Sequence, residues 1–175
     1  MSRYVGVDPG ASGAIAVVNG AGVLLGTIKL DAQAVDVWAF LSAVDGAMGA
    51  VLEKVSSSPQ MGVASAFSFG QSYGMVRAFL VAAAVPFEEV TPASWRAAMH
   101  CKGTGKSVMG AEHNARRKEN KAITKAKAME LFPRAKVTDA IADALLLAEY
   151  ARRLAAARTP RQTLREMGLM RGGGE

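Results

Sequence analysis

The chain has 175 residues, of which half are apolar, and a formal net charge of +6. This length suffices for one domain with a substantial core, and no stretch reaches the roughly 18 uncharged apolar residues that a membrane span requires. A single cysteine, Cys101, excludes an internal disulfide. Because no signal peptide precedes the first predicted strand, we expect a cytoplasmic protein without a membrane partner.

The N-terminal thirty residues predict a three-stranded antiparallel meander. Strands are expected over residues 3–8, 13–18 and 22–29. Pro9-Gly10 ends the first strand, and Asn19-Gly20 favours a turn after the second.

Helices and short strands alternate after this meander. In chain order, apolar spacing and turn residues predict a helix over 32–46, a strand over 50–54, a helix over 64–84, a strand over 86–90, a helix from Thr91-Pro92 to Met99, a flexible basic loop over 101–121, and helices over 122–132 and 139–157. This order predicts an α/β fold with a mixed five-stranded sheet, three strands antiparallel and two parallel, and helices on both faces. We expect one domain over 1–157 and a partly disordered C-terminal extension over 158–175.

The positive charge is concentrated in one segment. Residues 96–136 carry eleven basic and three acidic residues, a net charge of +8, which leaves −2 for the remainder. Such an asymmetry favours a polyanionic partner, although a solvated charged loop and helix would give the same pattern. The candidate nucleic-acid contacts in this segment are Lys102, Lys106, Arg116, Arg117, Lys118, Lys121 and Lys125.

Four acidic residues lie at the ends of predicted elements. Asp8 and Glu53 each end a strand, so they meet at one edge of the sheet if the two strands are parallel neighbours. Asp139 and Asp143 are four residues apart at the start of the last predicted helix, which places them on one helix face. A cluster of carboxylates is stable only when a cation offsets the repulsion, and hard oxygen ligands favour Mg²⁺ or Mn²⁺. Two such ions can support phosphodiester hydrolysis, so the pattern predicts a metal-dependent nuclease.

Each acid also has a simpler interpretation. Asp8 before Pro9 is typical of a turn, Glu53 of a solvated strand end, and Asp139 of a helix cap. Asp143 is harder to explain in this way, because it lies in an otherwise Ala- and Leu-rich helix.

An ordered set of motifs from about residue 3 to about residue 153 resembles the RuvC-type Holliday junction resolvases, in particular their phage-type branch. The motifs are Tyr4-Val-Gly-Val-Asp-Pro-Gly10, Gly13-Ala-Ile-Ala16, Glu53-Lys-Val55, Phe69-Gly-Gln-Ser-Tyr-Gly74, Val90-Thr-Pro-Ala-Ser-Trp95, Lys127-Ala-Met-Glu-Leu-Phe-Pro133 and the segment from Asp139 to Tyr150.

This resemblance implies an RNase H-like fold, a homodimer and Mg²⁺- or Mn²⁺-dependent cutting of four-way and other branched DNA junctions, with two ions in each active site. It assigns catalytic and metal-binding roles to Asp8, Glu53 and Asp143, and it makes Asp139 either the fourth ligand or a helix cap that supports Asp143. Bacterial members of the family usually place their last two ligands three residues apart, whereas the spacing here is four. If the protein is phage-encoded, its compartment is the host cytoplasm.

Three other functions fit parts of the pattern. A related RNase H-like nuclease acting on another nucleic-acid structure would share the acids, and a non-catalytic junction-binding protein would need only the basic segment. A sugar-kinase-like phosphotransferase would need two such domains. Gly103-Thr-Gly-Lys-Ser107 resembles the end of a phosphate-binding loop, but His100 occupies the position of its first glycine, so no nucleotide cofactor is expected.

Overall fold

The computed structural model describes residues 2–10, 12–54, 62–103 and 111–158, and gives no side-chain description for 111–114. Its elements are β1 (Arg3–Asp8), β2 (Ala14–Asn19), β3 (Leu24–Lys29), α1 (Ala34–Ser42), β4 (Ala47–Glu53), α2 (Val63–Ala82), β5 (Phe87–Val90), α3 (Pro92–Ala98), α4 (Ala111–Leu131) and α5 (Ala142–Ala157). Among the helices described, none is long and apolar enough to cross a bilayer.

The five strands form one sheet in the order β3-β2-β1-β4-β5. The meander β1-β2-β3 is antiparallel, whereas β4 runs parallel to both β1 and β5. Val7 pairs with Leu52, so the residues that follow them, Asp8 and Glu53, lie side by side. The predicted mixed sheet is confirmed, and so is the parallel neighbourhood of the strands that end in these two acids.

The alternating side chains of the strands supply two cores, one on each face of the sheet. Val5, Val7 and Leu52 face α1 and α2. Val51 and the small residues Ala14 and Ala16 face α3, α4 and α5. Helices therefore cover both faces, as predicted, and eight of the sixteen residues of α5 are buried.

Helix α5 lies unusually close to β1 because Gly6 has no side chain. A Cβ atom at Gly6 would overlap the backbone of Ala144 and Ala148. Asp143 lies in the first turn of this helix. The contact at Gly6 therefore sets the distance between Asp143 and the end of β1.

Two helices start three residues or more from their predicted positions. Helix α4 begins at Ala111, within the predicted loop 101–121, because the Ala, Lys, Arg and Glu residues there are strong helix formers although they lack apolar periodicity. Helix α5 begins at Ala142 rather than at 139. The Thr138 carbonyl accepts hydrogen bonds from the amides of Ile141 and Ala142, so the chain turns once before the regular helix starts.

Candidate active site

Three of the four predicted acids converge on the α5 side of the sheet. Asp8 and Glu53 alternate in phase with Gly6 and Val51, so their side chains point to the face that α5 covers. Asp143 reaches the same place from the first turn of α5. The Coulomb repulsion among these three carboxyls is part of what raises the pKa values of Asp8 and Glu53.

Asp8 is held by the turn that follows β1. The amide of Gly10 donates to Asp8 Oδ1 over 3.0 Å, and a Cβ at Gly13 would overlap the Asp8 carbonyl. Removal from solvent raises the pKa of Asp8, and the charge of Asp143 raises it further against the Gly10 hydrogen bond. Asp8 is thus a turn residue, as its simpler interpretation stated, and also a member of the acidic cluster.

Glu53 is buried and hydrogen-bonded. Trp95 Nε1 donates to Glu53 Oε1 over 2.8 Å, and the whole Trp95 side chain is inaccessible to solvent. Burial raises the pKa of Glu53 to about 7, with a further contribution from Asp8, while the Trp95 hydrogen bond opposes the shift. The simpler interpretation of Glu53 as a solvated strand end is therefore wrong.

Two functional neighbours, Trp95 and Arg96, were not singled out from the sequence. A buried indole N–H needs an acceptor, which was the available signal for Trp95. Arg96 Nη2 lies 3.1 Å from Asp143 Oδ2 and 3.7 Å from Glu53 Oε1. Its guanidinium also lies over the Trp95 ring, 4.8 Å from the centroid. Arg96 counted only toward the charge of the basic segment, yet its guanidinium contacts both Glu53 and Asp143.

Asp139 pairs with a lysine of α4. Its Oδ1 atom is 2.7 Å from Lys125 Nζ, and 60% of its side chain is exposed. The hydrogen bond and charge of Lys125 lower its pKa. The prediction that Asp139 and Asp143 share one face of a helix is wrong, because α5 starts only at Ala142.

A cleft of about 440 Å³ opens over Asp8 and Asp143. Helix α4 supplies one wall, with Arg117, Asn120, Lys121 and Thr124, and Arg96 belongs to the same cleft. The N-terminal half of α2 adds Ser65 and Phe69. The site therefore combines a carboxylate floor with a basic wall.

The other residues that the sequence predicted to contact nucleic acid do not line this cleft where the structure describes them. Lys102 and Lys118 are exposed and Arg116 is half-buried, whereas Lys125 is paired with Asp139. Lys106 lies outside the described residues, as does most of the glycine-containing segment 103–107. Of the six predicted contacts that the structure describes, Arg117 and Lys121 line the cleft.

The three converging acids have the ligand atoms that a hard divalent cation prefers, but their side chains are not close enough together to bind one. Asp8, Glu53 and Asp143 offer only carboxylate oxygens, which Mg²⁺ and Mn²⁺ prefer. Within the described ranges, however, no three Asp, Glu, His or Cys side chains are grouped closely enough to hold a metal ion. The Arg96 guanidinium contacts two of the three carboxylates, so a cation there would require these side chains to rearrange.

The architecture and the site define the class of fold, which is RNase H-like: a mixed five-stranded sheet with the acids at the end of its first strand, at the end of the neighbouring parallel strand and on the last helix. No protein-family model matches the chain, and the curated proteins give no significant sequence match.

Solved structures show the same fold in RuvC of Thermus thermophilus. RuvC in complex with a Holliday junction substrate superposes with a TM-score of 0.59 and 17% identity, covering 90% of this chain and 97% of that one. RuvC alone gives a TM-score of 0.61 at 17% identity, covering 87% and 96%. At this identity the likeness establishes the fold, and the fold predicted from the sequence resemblance is confirmed. Membership of the phage-type branch stays a prediction.

Proposed function

We propose that the protein is a divalent-metal-dependent endonuclease that resolves four-way and other branched DNA junctions by phosphodiester hydrolysis. One observation carries the proposal: Asp8, Glu53 and Asp143 converge beneath a basic cleft in a chain with the fold of a protein solved on a Holliday junction. Because the chain has a single cysteine, Cys101, which is buried, we place this activity in the cytoplasm.

Asp8, Glu53 and Asp143 are the residues that would hold Mg²⁺ or Mn²⁺, with two ions expected in each active site. When bound, such ions stabilise the negative charge that develops on phosphate oxygens and activate water. The protein contributes orientation: the Gly10 amide fixes Asp8, and the Trp95 indole fixes Glu53. Asp139 is left out of this set because it pairs with Lys125 at the surface.

The basic wall of the cleft supports the choice of DNA as substrate. Arg117 and Lys121 lie on one face of α4, one helical turn apart, and line the same cleft as Asp8. Cations in this position can hold the phosphate backbone against the acidic floor. Lys102, Lys106, Arg116, Lys118 and Lys125 would extend this contact along the same segment of the chain.

A homodimer would present two such sites to a two-fold junction. Helix α2 has the surface for it, because Val63 and Phe67 are 88% and 68% exposed and Val81 is 68% exposed. Gly70 and Gly74 lie on the same helix, and a Cβ atom added to either would have no neighbour within 4 Å, so a second backbone can approach closely. We propose that a second copy of the chain packs on this face of α2.

A panel of substrates separates this proposal from the two alternatives that also act on nucleic acid. Equal concentrations of a four-way junction, a flap, an RNA–DNA hybrid and a linear duplex are incubated with Mg²⁺ or Mn²⁺. Preferential nicking of the junction supports the resolvase, and preferential cutting of the hybrid supports another RNase H-like nuclease. Tight junction binding without cleavage under either metal supports a non-catalytic binding protein.

A further inference from the structure

Arg96 places a guanidinium group inside the acidic cluster. Its Nη2 atom is 3.1 Å from Asp143 Oδ2 and 3.7 Å from Glu53 Oε1, and the side chains of Arg96, Asp143 and Glu53 are 25%, 17% and 7% exposed. Charges at this depth interact more strongly than at the surface. Arg96 therefore offsets part of the repulsion between these two carboxylates.

The guanidinium of Arg96 does not use all of its hydrogen-bond donors in this pairing. The same nitrogen, Nη2, serves both acids, so the pairing lacks the two parallel hydrogen bonds of the strongest arginine–carboxylate contacts. Within the described residues, the buried Nε atom of Arg96 has no hydrogen-bond partner. An unpaired buried donor destabilises the state in which Arg96 is paired with the acids. Less free energy is therefore needed to displace the guanidinium. Arg96 also lines the cleft, so its side chain has space to move into.

We propose that Arg96 is a positioning residue that competes with the divalent cation for Glu53 and Asp143. While paired, the guanidinium holds the two carboxylates in place, and it must leave them before they can bind a cation together with Asp8. This inference rests on the proposed function, because it takes the three acids as the metal ligands. Its consequence is specific: removal of the Arg96 charge strengthens metal binding, whereas loss of a residue with a purely structural role would weaken it.

The test is calorimetric titration of the full chain with Mn²⁺ alone, in the absence of DNA. The variants are Arg96→Gln, Arg96→Lys and, as a charge-matched control, Arg117→Gln, which removes a cation from the same cleft. We expect Arg96→Gln to lower the Kd for Mn²⁺ about fivefold or more and Arg96→Lys to lower it less, since lysine keeps the charge. Arg117→Gln should change it less than twofold. Thermal unfolding should show Arg96→Gln with a lower Tm than wild type in EDTA and a larger increase in Tm on addition of Mn²⁺.

Each outcome decides the proposal. An unchanged or higher Kd in folded Arg96→Gln overturns it. If that variant is unfolded in EDTA, refolding on addition of Mn²⁺ supports the proposal. If it stays unfolded with Mn²⁺, the Arg96→Lys variant decides: tighter Mn²⁺ binding than wild type supports the proposal, and equal or weaker binding overturns it. Junction cleavage by the wild type and Mn²⁺ binding by Asp8→Asn are measured in parallel. Cleavage with an unchanged Arg96→Gln Kd refutes the competition alone, whereas the absence of any Asp8-dependent Mn²⁺ binding refutes the proposed function as well.

Discussion

The indole N–H of Trp95 donates to Glu53 Oε1 over 2.8 Å, and it joins two buried residues that are 42 positions apart in the sequence. Trp95 lies on α3, whose N-cap Thr91 accepts a hydrogen bond from Ser94. Glu53 ends β4. The hydrogen bond thus ties the position of one candidate metal ligand to a capped helix on the α5 side of the sheet.

Replacement of Trp95 by Phe tests this link. The Trp95 hydrogen bond lowers the pKa of Glu53, so its loss should raise that pKa further and move the acid limb of the pH–rate profile for junction cleavage to higher pH. The unpaired buried acceptor should also lower the free energy of unfolding by about 1–3 kcal/mol. Trp38→Phe is the control, because Trp38 packs on Phe79, away from the acids. An acid limb that does not move in Trp95→Phe would show that the hydrogen bond does not tune Glu53.

Glu53 itself should make the protein less stable as the pH rises. Its pKa is raised from 4.5 to about 7 in the folded chain, so between these values the folded state binds more protons than the unfolded state. The free energy of unfolding must then fall as the pH rises through this window. Glu53→Gln keeps an acceptor for Trp95 but cannot ionise, and in EDTA at pH 8 it should be more stable than wild type by about 1–3 kcal/mol.

Urea denaturation at pH 5 and pH 8 measures this difference. Asp139→Asn is the control, because Lys125 lowers the pKa of Asp139 from its usual 3.8, so this group titrates below the window and the difference from wild type should be the same at pH 5 and pH 8. If Glu53→Gln is less stable than wild type at pH 8, the claim that the buried charge of Glu53 destabilises the folded protein is wrong.

The close contact between β1 and α5 gives a prediction that links packing to the site. Gly6→Ala places a methyl group against the backbone of Ala144 and Ala148, so α5 must shift and carry Asp143 away from Asp8. We expect a loss of about 1–3 kcal/mol or more in the free energy of unfolding, together with weaker cleavage. Gly49→Ala is the matched control, since nothing lies within 4 Å of a Cβ there and the change should stay within about 0.5 kcal/mol. Equal stability of the two variants would show that α5 tolerates a wider spacing.

The exposed face of α2 predicts the behaviour of an interface variant. Phe67→Glu should weaken self-association by about tenfold or more, because it places a charge on an apolar surface that the second copy would cover. Sedimentation velocity over a concentration series measures the change. Val35→Glu is the control, since Val35 is similarly exposed, at 63%, but lies on α1. A monomeric wild type, or dissociation by Val35→Glu but not by Phe67→Glu, would rule out this interface.

Much of the fold follows from local sequence signals. The meander, the two parallel strands and the helices on both faces were predictable because apolar periodicity and turn residues mark those elements. Helix α4 was predicted only in part, because its first half is polar and carries charges on most of its faces. Its register matters, since it brings Arg117 and Lys121 to the cleft.

The sequence predicted the acids that converge at the site, but not the side chains that contact them. Asp8 and Glu53 meet because parallel neighbouring strands end at the same edge. Arg96 and Trp95 reach the acids through side-chain contacts between distant segments, which no local pattern encodes. The shared helix face of Asp139 and Asp143 was wrongly predicted, because α5 starts three residues later than expected; a metal-binding role for Asp139 stays a prediction.

The central claim is that Asp8, with Glu53 and Asp143, forms a metal-dependent catalytic site from which Asp139 is excluded. The direct measurement is the initial rate of nicking of a synthetic four-way junction by wild type, Asp8→Asn and Asp139→Asn, each with Mg²⁺, with Mn²⁺ and with EDTA. We predict metal-dependent cleavage by the wild type, a loss of about 100-fold or more in Asp8→Asn, and a rate within about threefold of wild type in Asp139→Asn, whose carboxylate is exposed. Wild-type rates in Asp8→Asn, cleavage in EDTA, or an Asp139→Asn variant as inactive as Asp8→Asn would contradict the claim.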